Sequence, residues 1–176
     1  MTFDPSWVRA HVRDVPDWPK PGVVFKDITP LLAHRKAFAA TVDAMVAPFA
    51  AAEIDRVVGI EARGFIFAAP IAYRFAAGFV PVRKPNKLPW TREAEQYELE
   101  YGTDLLEIHR DAIEPGHKVL IVDDVLATGG TAAATARLVQ RLGGEVVGVS
   151  VAIELGFLNG RAKLNGLDVR SLVTFD

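Results

Sequence analysis

Residues 119–131 read VLIVDDVLATGGT. Four apolar residues make a buried strand, Asp123 and Asp124 follow, and the small residues Ala127, Thr128, Gly129, Gly130 and Thr131 open a helix. Such a junction is an anion site, because loop and helix N-terminal amides point outward and the helix dipole favours negative charge. Glycines let the backbone approach a phosphate closely, and the hydroxyls of Thr128 and Thr131 add donors. Carboxylates beside a phosphate would repel it, so Asp123 and Asp124 need another partner. They suit the hydroxyls of a sugar, or a divalent cation that also touches the ligand. A sugar phosphate satisfies the whole stretch, with phosphate on the TGGT loop and ribose on the aspartates. The alternative is a plain strand–loop–helix turn with Asp as cap and Gly for the bend. Two adjacent aspartates followed by ATGGT weigh against it. Neither GxxxxGK[ST] nor a GxGxxG after a strand occurs.

Outward from this stretch the chain alternates strand and helix. Residues 56–60 (RVVGI), 79–83 (FVPVR), 118–122 (KVLIV) and 145–153 (EVVGVSVAI) read as strands. Residues 65–77 and 130–142 read as helices, the second stopping at Gly143-Gly144. Continuous apolar strands separated by helices predict an α/β fold with a central parallel sheet flanked by helices. Upstream, Phe38, Val42, Met45, Val46 and Phe49 recur at helical spacing and predict a helix over 35–50. Residues 5–14 suggest a short helix, and the proline- and glycine-dense 17–30 an ordered irregular segment. Residues 84–102 break the alternation and are either a functional flap or a surface β-hairpin.

The length of 176 residues suits one domain, 1–176, with a real core. A net charge of −2 gives no clustered basic excess, so no nucleic-acid partner is expected and phosphate chemistry must come from a local site. The absence of cysteine removes disulfides, thiolate metal sites and cysteine nucleophiles. The first fifteen residues lack the apolar core of a signal peptide, and no apolar run reaches the ~18 residues of a membrane span. A soluble cytoplasmic protein with no membrane partner is the expectation.

Other stretches carry charge in suggestive places. Arg83, Lys84 and Lys87 crowd positive charge near the end of the second strand, which costs self-repulsion unless an anion sits there. A solvated basic turn is the competing reading for Lys87. In YELEY (97–101), a strand would place Tyr97, Leu99 and Tyr101 on one side and Glu98 and Glu100 on the other. Those two carboxylates either transfer protons or merely face water. Histidines 11, 34, 109 and 117 show no ligand spacing and read as structural or surface residues.

The apolar run, the two acidic residues and the threonine- and glycine-rich loop resemble the phosphoribosyl-pyrophosphate motif of type I phosphoribosyltransferases. Four more stretches, PGVVFKDITP (21–30), EARGFIFAAP (61–70), VPVRKPNKLP (80–89) and YELEYGTDLLEIH (97–109), resemble the adenine phosphoribosyltransferases in the same order along the chain. The resemblance implies the type I fold with a flexible hood at 84–102. It implies transfer of phosphoribose from phosphoribosyl pyrophosphate to adenine, giving AMP and pyrophosphate. Phe25 would stack on the purine while the main chain of Val24 and Lys26 reads its edge. Arg63, in a loop led by Glu61, would hold the leaving pyrophosphate, with Arg83, Lys84 and Lys87 also on phosphoribosyl pyrophosphate. Glu100 would be the acid/base group and Tyr101 would cover the site. Mg²⁺ would be held by substrate and water, with Asp123 and Asp124 as the protein's contribution, and no all-protein metal site is implied. The family is usually a homodimer, in which Arg83 can reach across the interface. The chain departs from the common pattern at Lys26, where arginine is frequent, and at Glu61, where aspartate is also common. Guanine, hypoxanthine or xanthine as the base, and a non-catalytic regulator, are the other readings. PGVVFKDI argues against the first, and the lack of a basic face or spare domain against the second.

Overall fold

The computed structural model describes residues 4–98 and 102–176. Its centre is a five-stranded sheet, all parallel, built from β3 (Arg56–Ile60), β4 (Gly78–Val82), β7 (Lys118–Leu126), β8 (Glu145–Leu155) and β9 (Val169–Phe175). The spatial order is β4-β3-β7-β8-β9. The chain moves outward from β3 to β4 and then returns to the other side of β3 with β7. Strand order therefore reverses between β3 and β7, the place where open parallel sheets leave a crevice at their carboxyl ends.

Residues along β7 alternate between two cores. Val119 and Ile121 join Val58, Ile60, Val80 and Val82 beneath α5 (Gly130–Arg141). Leu120 and Val122 join Val57 and Ala152 beneath α3 (Arg35–Val46) and α4 (Gly64–Phe75). Covering both faces explains why these strands are apolar without alternation. It also explains why they were readable in sequence, along with the helices between them.

The structure departs from the sequence reading in four places. The first helix, α1, spans only Pro5–Ala10, started by Asp4, whose carboxylate accepts the Ser6 N–H at 2.8 Å. Residues beyond it form β1 (Arg13–Pro16), which pairs antiparallel with β2 (Val24–Asp27). The segment read as irregular thus carries a strand and the start of α2 (Thr29–Ala33). This ribbon is tied by ion pairs, Arg13–Asp27 and Lys26–Asp14, each 2.7 Å, so it lacks the apolar alternation that marks a strand. Third, β7 continues through Leu126, which puts Asp123 and Asp124 inside the strand, Asp123 paired with Val151. Fourth, β9 forms an unanticipated edge.

Within 84–102, residues 92–98 form a strand. β5 (Arg92–Glu98) pairs antiparallel with β6 (Thr103–His109) and packs on α5 through Tyr97, Leu106 and Ile108. No helix of the described residues is long and apolar enough to cross a membrane.

Candidate active site

The crevice at the strand-order reversal is a cavity of about 440 Å³. Its floor is Ile60 at the end of β3 with Asp123, Asp124 and Val125 of β7, and Ala127 and Thr131 lead into α5. Val24, Phe25 and Lys26 of β2 form one wall, and Glu61, Ala62, Arg63 and Lys84 another. Leu155 at the end of β8 closes it. Most of the residues singled out in the sequence therefore meet in one place. A larger cleft, about 560 Å³ between the hairpin and α5, is lined by Gln96, Glu98, Arg137 and Lys163 and holds none of the sheet-end carboxylates.

The loop between β7 and α5 is shaped by its glycines. Gly129 has φ +76° and is the N-cap of α5, with no side chain capping the helix. The first amides of α5 are left for a ligand, as expected of an anion site. A Cβ on Gly129 would lie 2.1 Å from the carbonyl oxygen of Gly160, so only glycine fits. Gly64, at the start of α4, similarly lets that helix press on β7, because a Cβ there would lie 2.7 Å from Asp123 Oδ1.

Asp123 is poorly compensated. Burial first, and the neighbouring Asp124 second, push the Asp123 carboxyl well above its ordinary range. The Asp124 N–H donates to Asp123 Oδ1 at 2.9 Å. Arg63 Nε lies 2.7 Å from Asp124 Oδ2, yet that buried oxygen has no aligned hydrogen-bond donor. The Arg63 guanidinium also sits over the Phe25 ring, 5.0 Å from its centroid, while Trp18 meets that ring edge-on at 4.4 Å. Arg63 thus bridges the carboxylate floor and the aromatic wall.

Glu61 is the opposite case. Burial alone would raise its pKa, but Lys87 Nζ (2.5 Å), the Lys84 N–H (2.9 Å) and Arg83 Nη2 (3.2 Å) outweigh that and lower it to about 2. The anion demanded by the crowding of Arg83, Lys84 and Lys87 is therefore supplied by the chain. The side chains of Arg83 and Lys87 turn to Glu61 and do not line the cavity, whereas Lys84 does. Glu107, buried in β6, holds the same turn from the other side, accepting from Arg92 Nε at 2.9 Å and the Asn86 N–H at 3.1 Å.

Lys84 also donates to Asp104 and, at 3.2 Å, to the hydroxyl of Tyr97. That hydroxyl donates to Asp104 Oδ2 at 3.1 Å and lies 3.4 Å from Thr131 Oγ1. This link from hairpin to loop was missed in sequence, because it joins residues 13 to 34 positions apart. Trp18, packed on Phe25, was also missed. Glu100 and Tyr101 lie outside the described residues. The histidines are structural where they bond: His34 Nδ1 accepts the Ala37 N–H at 3.1 Å to cap α3, and His109 Nε2 accepts the Trp90 N–H at 3.3 Å.

The family model of the phosphoribosyl transferase domain matches residues 27–165. An adenine phosphoribosyltransferase of Thermobifida fusca is 60% identical over 167 residues, covering 95% of each chain. The chain belongs to the adenine phosphoribosyltransferase family. The crystal structure of a Rhodothermus marinus adenine phosphoribosyltransferase superposes with a TM-score of 0.94 at 52% identity, covering 97% of this chain and 98% of that one. The Saccharomyces cerevisiae enzyme, complexed with an imino-altritol bisphosphate and adenine, gives 0.91 at 39% identity, over 96% and 98%. The Rhodothermus marinus structure therefore shares the α/β fold with a central parallel sheet seen here.

Proposed function

We propose that the protein is an adenine phosphoribosyltransferase, transferring the phosphoribosyl group of phosphoribosyl pyrophosphate to adenine to give AMP and pyrophosphate. The observation that carries the reading is the meeting, at the strand-order reversal, of an uncapped glycine loop, two adjacent carboxylates and the Phe25 ring. The relatives' activity supports it.

In this reading the 5-phosphate sits on Ala127 to Thr131, and Asp123 and Asp124 accept from the ribose hydroxyls. Adenine stacks on Phe25, with the main chain of Val24 and Lys26 along its edge. Displacement at the anomeric carbon builds positive charge on the ring, as in other glycosyl transfers, and negative charge on the leaving pyrophosphate. Arg63 and Lys84 face that developing charge, with Arg63 turning from Asp124 to pair bidentately with the diphosphate. Arg83 and Lys87, paired with Glu61, would hold the turn that carries Lys84. Glu100 takes the purine ring proton and Tyr101 shields the site, with the hairpin excluding water from the activated sugar.

Mg²⁺ fits the site chemically, since Asp124 Oδ2 is a buried carboxylate oxygen without an aligned donor. No group of three or more metal-ligating side chains occurs among the described residues, so substrate oxygens and water would complete the shell around any contact from Asp123 or Asp124. When bound, Mg²⁺ neutralises charge on the pyrophosphate. A homodimer and a cytoplasmic setting are part of the same proposal. Exposed Ile66 and Tyr73 on α4 and Phe79 on edge strand β4 support the dimer, which light scattering would test.

The test is product formation from adenine, hypoxanthine or guanine with phosphoribosyl pyrophosphate, with and without Mg²⁺. AMP from adenine alone, dependent on the metal, is expected. Turnover of another base overturns the adenine pocket, and no turnover of any base overturns the enzyme.

A further inference from the structure

We propose that Arg161, Glu154 and Ser171 form a clamp that positions the phosphate loop, so that Arg161 sets the affinity for phosphoribosyl pyrophosphate without touching it. The inference rests on the functional reading above and adds positioning residues to that site.

The loop between β7 and α5 does not stand alone. It leans on a single-turn helix at Gly160–Leu164. A Cβ on Gly129 would lie 2.1 Å from the Gly160 oxygen, and one on Gly160 would lie 2.2 Å from the Ala127 oxygen. Main chain therefore rests on main chain across the back of the proposed phosphate site. Any shift of Gly160 is transmitted to the amides of residues 127 to 129, because no side chain lies between to absorb it.

Arg161, next to Gly160, fixes that turn to the sheet. Its Nε and Nη2 each donate to Glu154 at 2.7 Å, a bidentate pair with the end of β8. Nη1 donates to the Val169 carbonyl at 2.7 Å, and Nη2 also to Ser171 Oγ at 2.9 Å, both on β9. Ser171 Oγ donates back to Glu154 Oε2 at 2.7 Å. One guanidinium thus spans two strands and satisfies a carboxylate whose side chain is only 8% exposed. Only the planar fork of arginine makes all these bonds together. Leu164, 3% exposed beneath α5, pins the other end of the turn. Glu154 precedes Leu155, which lines the cavity. A loop that binds through fixed backbone amides depends on sub-ångström placement, so its support is expected to appear in binding of the anion.

The experiment compares steady-state kinetics and thermal unfolding of the full-length enzyme with Arg161→Ala, Arg161→Lys, Glu154→Gln and Ser171→Ala. Arg161→Ala is expected to raise KM for phosphoribosyl pyrophosphate roughly tenfold, with KM for adenine within about twofold and kcat down by less than about threefold. Arg161→Lys should fall between it and the parent. A folded Arg161→Ala with unchanged KM for phosphoribosyl pyrophosphate overturns the clamp, as does an equal rise in both KM values. If Arg161→Ala does not fold, the shape-preserving Glu154→Gln and Ser171→Ala decide, and unchanged KM in both overturns it. A parent that turns over no base contradicts the functional reading instead. The clamp is then judged by the melting shift that phosphoribosyl pyrophosphate gives each protein: a smaller shift in Arg161→Ala supports it and an equal one overturns it.

Discussion

Glu61 and Asp123 face the same cavity from neighbouring strands, Glu61 just past the end of β3 and Asp123 within β7, and they are held in opposite ways. Glu61 is surrounded by Lys87, Arg83 and the Lys84 amide, and its pKa falls to about 2. Asp123 is buried and has another carboxylate beside it, and its pKa is driven up. The fold thus compensates a carboxylate thoroughly where it organises a turn, as it also does for Glu107 and Glu154. Where the ribose is proposed to bind, it leaves two carboxylates in tension. A carboxylate pair crowded together at a cavity floor marks the place where a ligand, and not the protein, completes the electrostatics.

The largest expected effect tests the crowded pair. Asp124→Asn should lower kcat/KM for AMP formation by roughly two to three orders of magnitude, read by steady-state kinetics. Activity within a few-fold of the parent would remove the ribose assignment. Next, the two carboxylates should differ in what they do for stability. Glu61, with its pKa depressed from 4.5 to about 2, contributes stability that is complete above its ordinary value and lost as pH falls through about 2. Glu61→Gln should therefore destabilise the fold at neutral pH by about 1–3 kcal/mol, measured by urea unfolding, and flatten the acid limb. Asp123, with a raised pKa, has the reverse sign: its contribution is complete below its ordinary value of 3.8 and lost as pH rises through the raised one. The smallest effect belongs to the link between hairpin and loop. Tyr97→Phe removes the hydroxyl shared by Lys84, Asp104 and Thr131, and should raise KM for phosphoribosyl pyrophosphate by about threefold or less.

The same contrast separates what the sequence discloses from what it hides. β3, β7 and β8 are buried on both faces, so they appear as uninterrupted apolar runs, and the glycine loop after β7 is local in the chain. Phe25 and Arg63 come to the cavity because the motifs carrying them end at adjacent elements. The β1–β2 ribbon is held by cross-strand ion pairs and not by an apolar face, so it left no periodic signal. Arg83 and Lys87 read as an unanswered positive cluster, because nothing local announces that Glu61, more than twenty residues earlier, turns toward them. Arg161 was invisible for the same reason: its partners lie 7 to 10 residues away on two different strands. Local pattern reveals burial and backbone shape, whereas pairing of charges is fixed only by the fold.

The most direct measurement is the thermal unfolding midpoint of the parent and of Asp123→Asn, each with and without saturating phosphoribosyl pyrophosphate and Mg²⁺. If Asp123 is strained to serve the ligand, the free variant melts about 2–4 °C above the parent. The parent then gains about 5 °C or more from ligand while the variant gains much less. A free variant that melts below the parent and keeps the full ligand shift would contradict that role for Asp123.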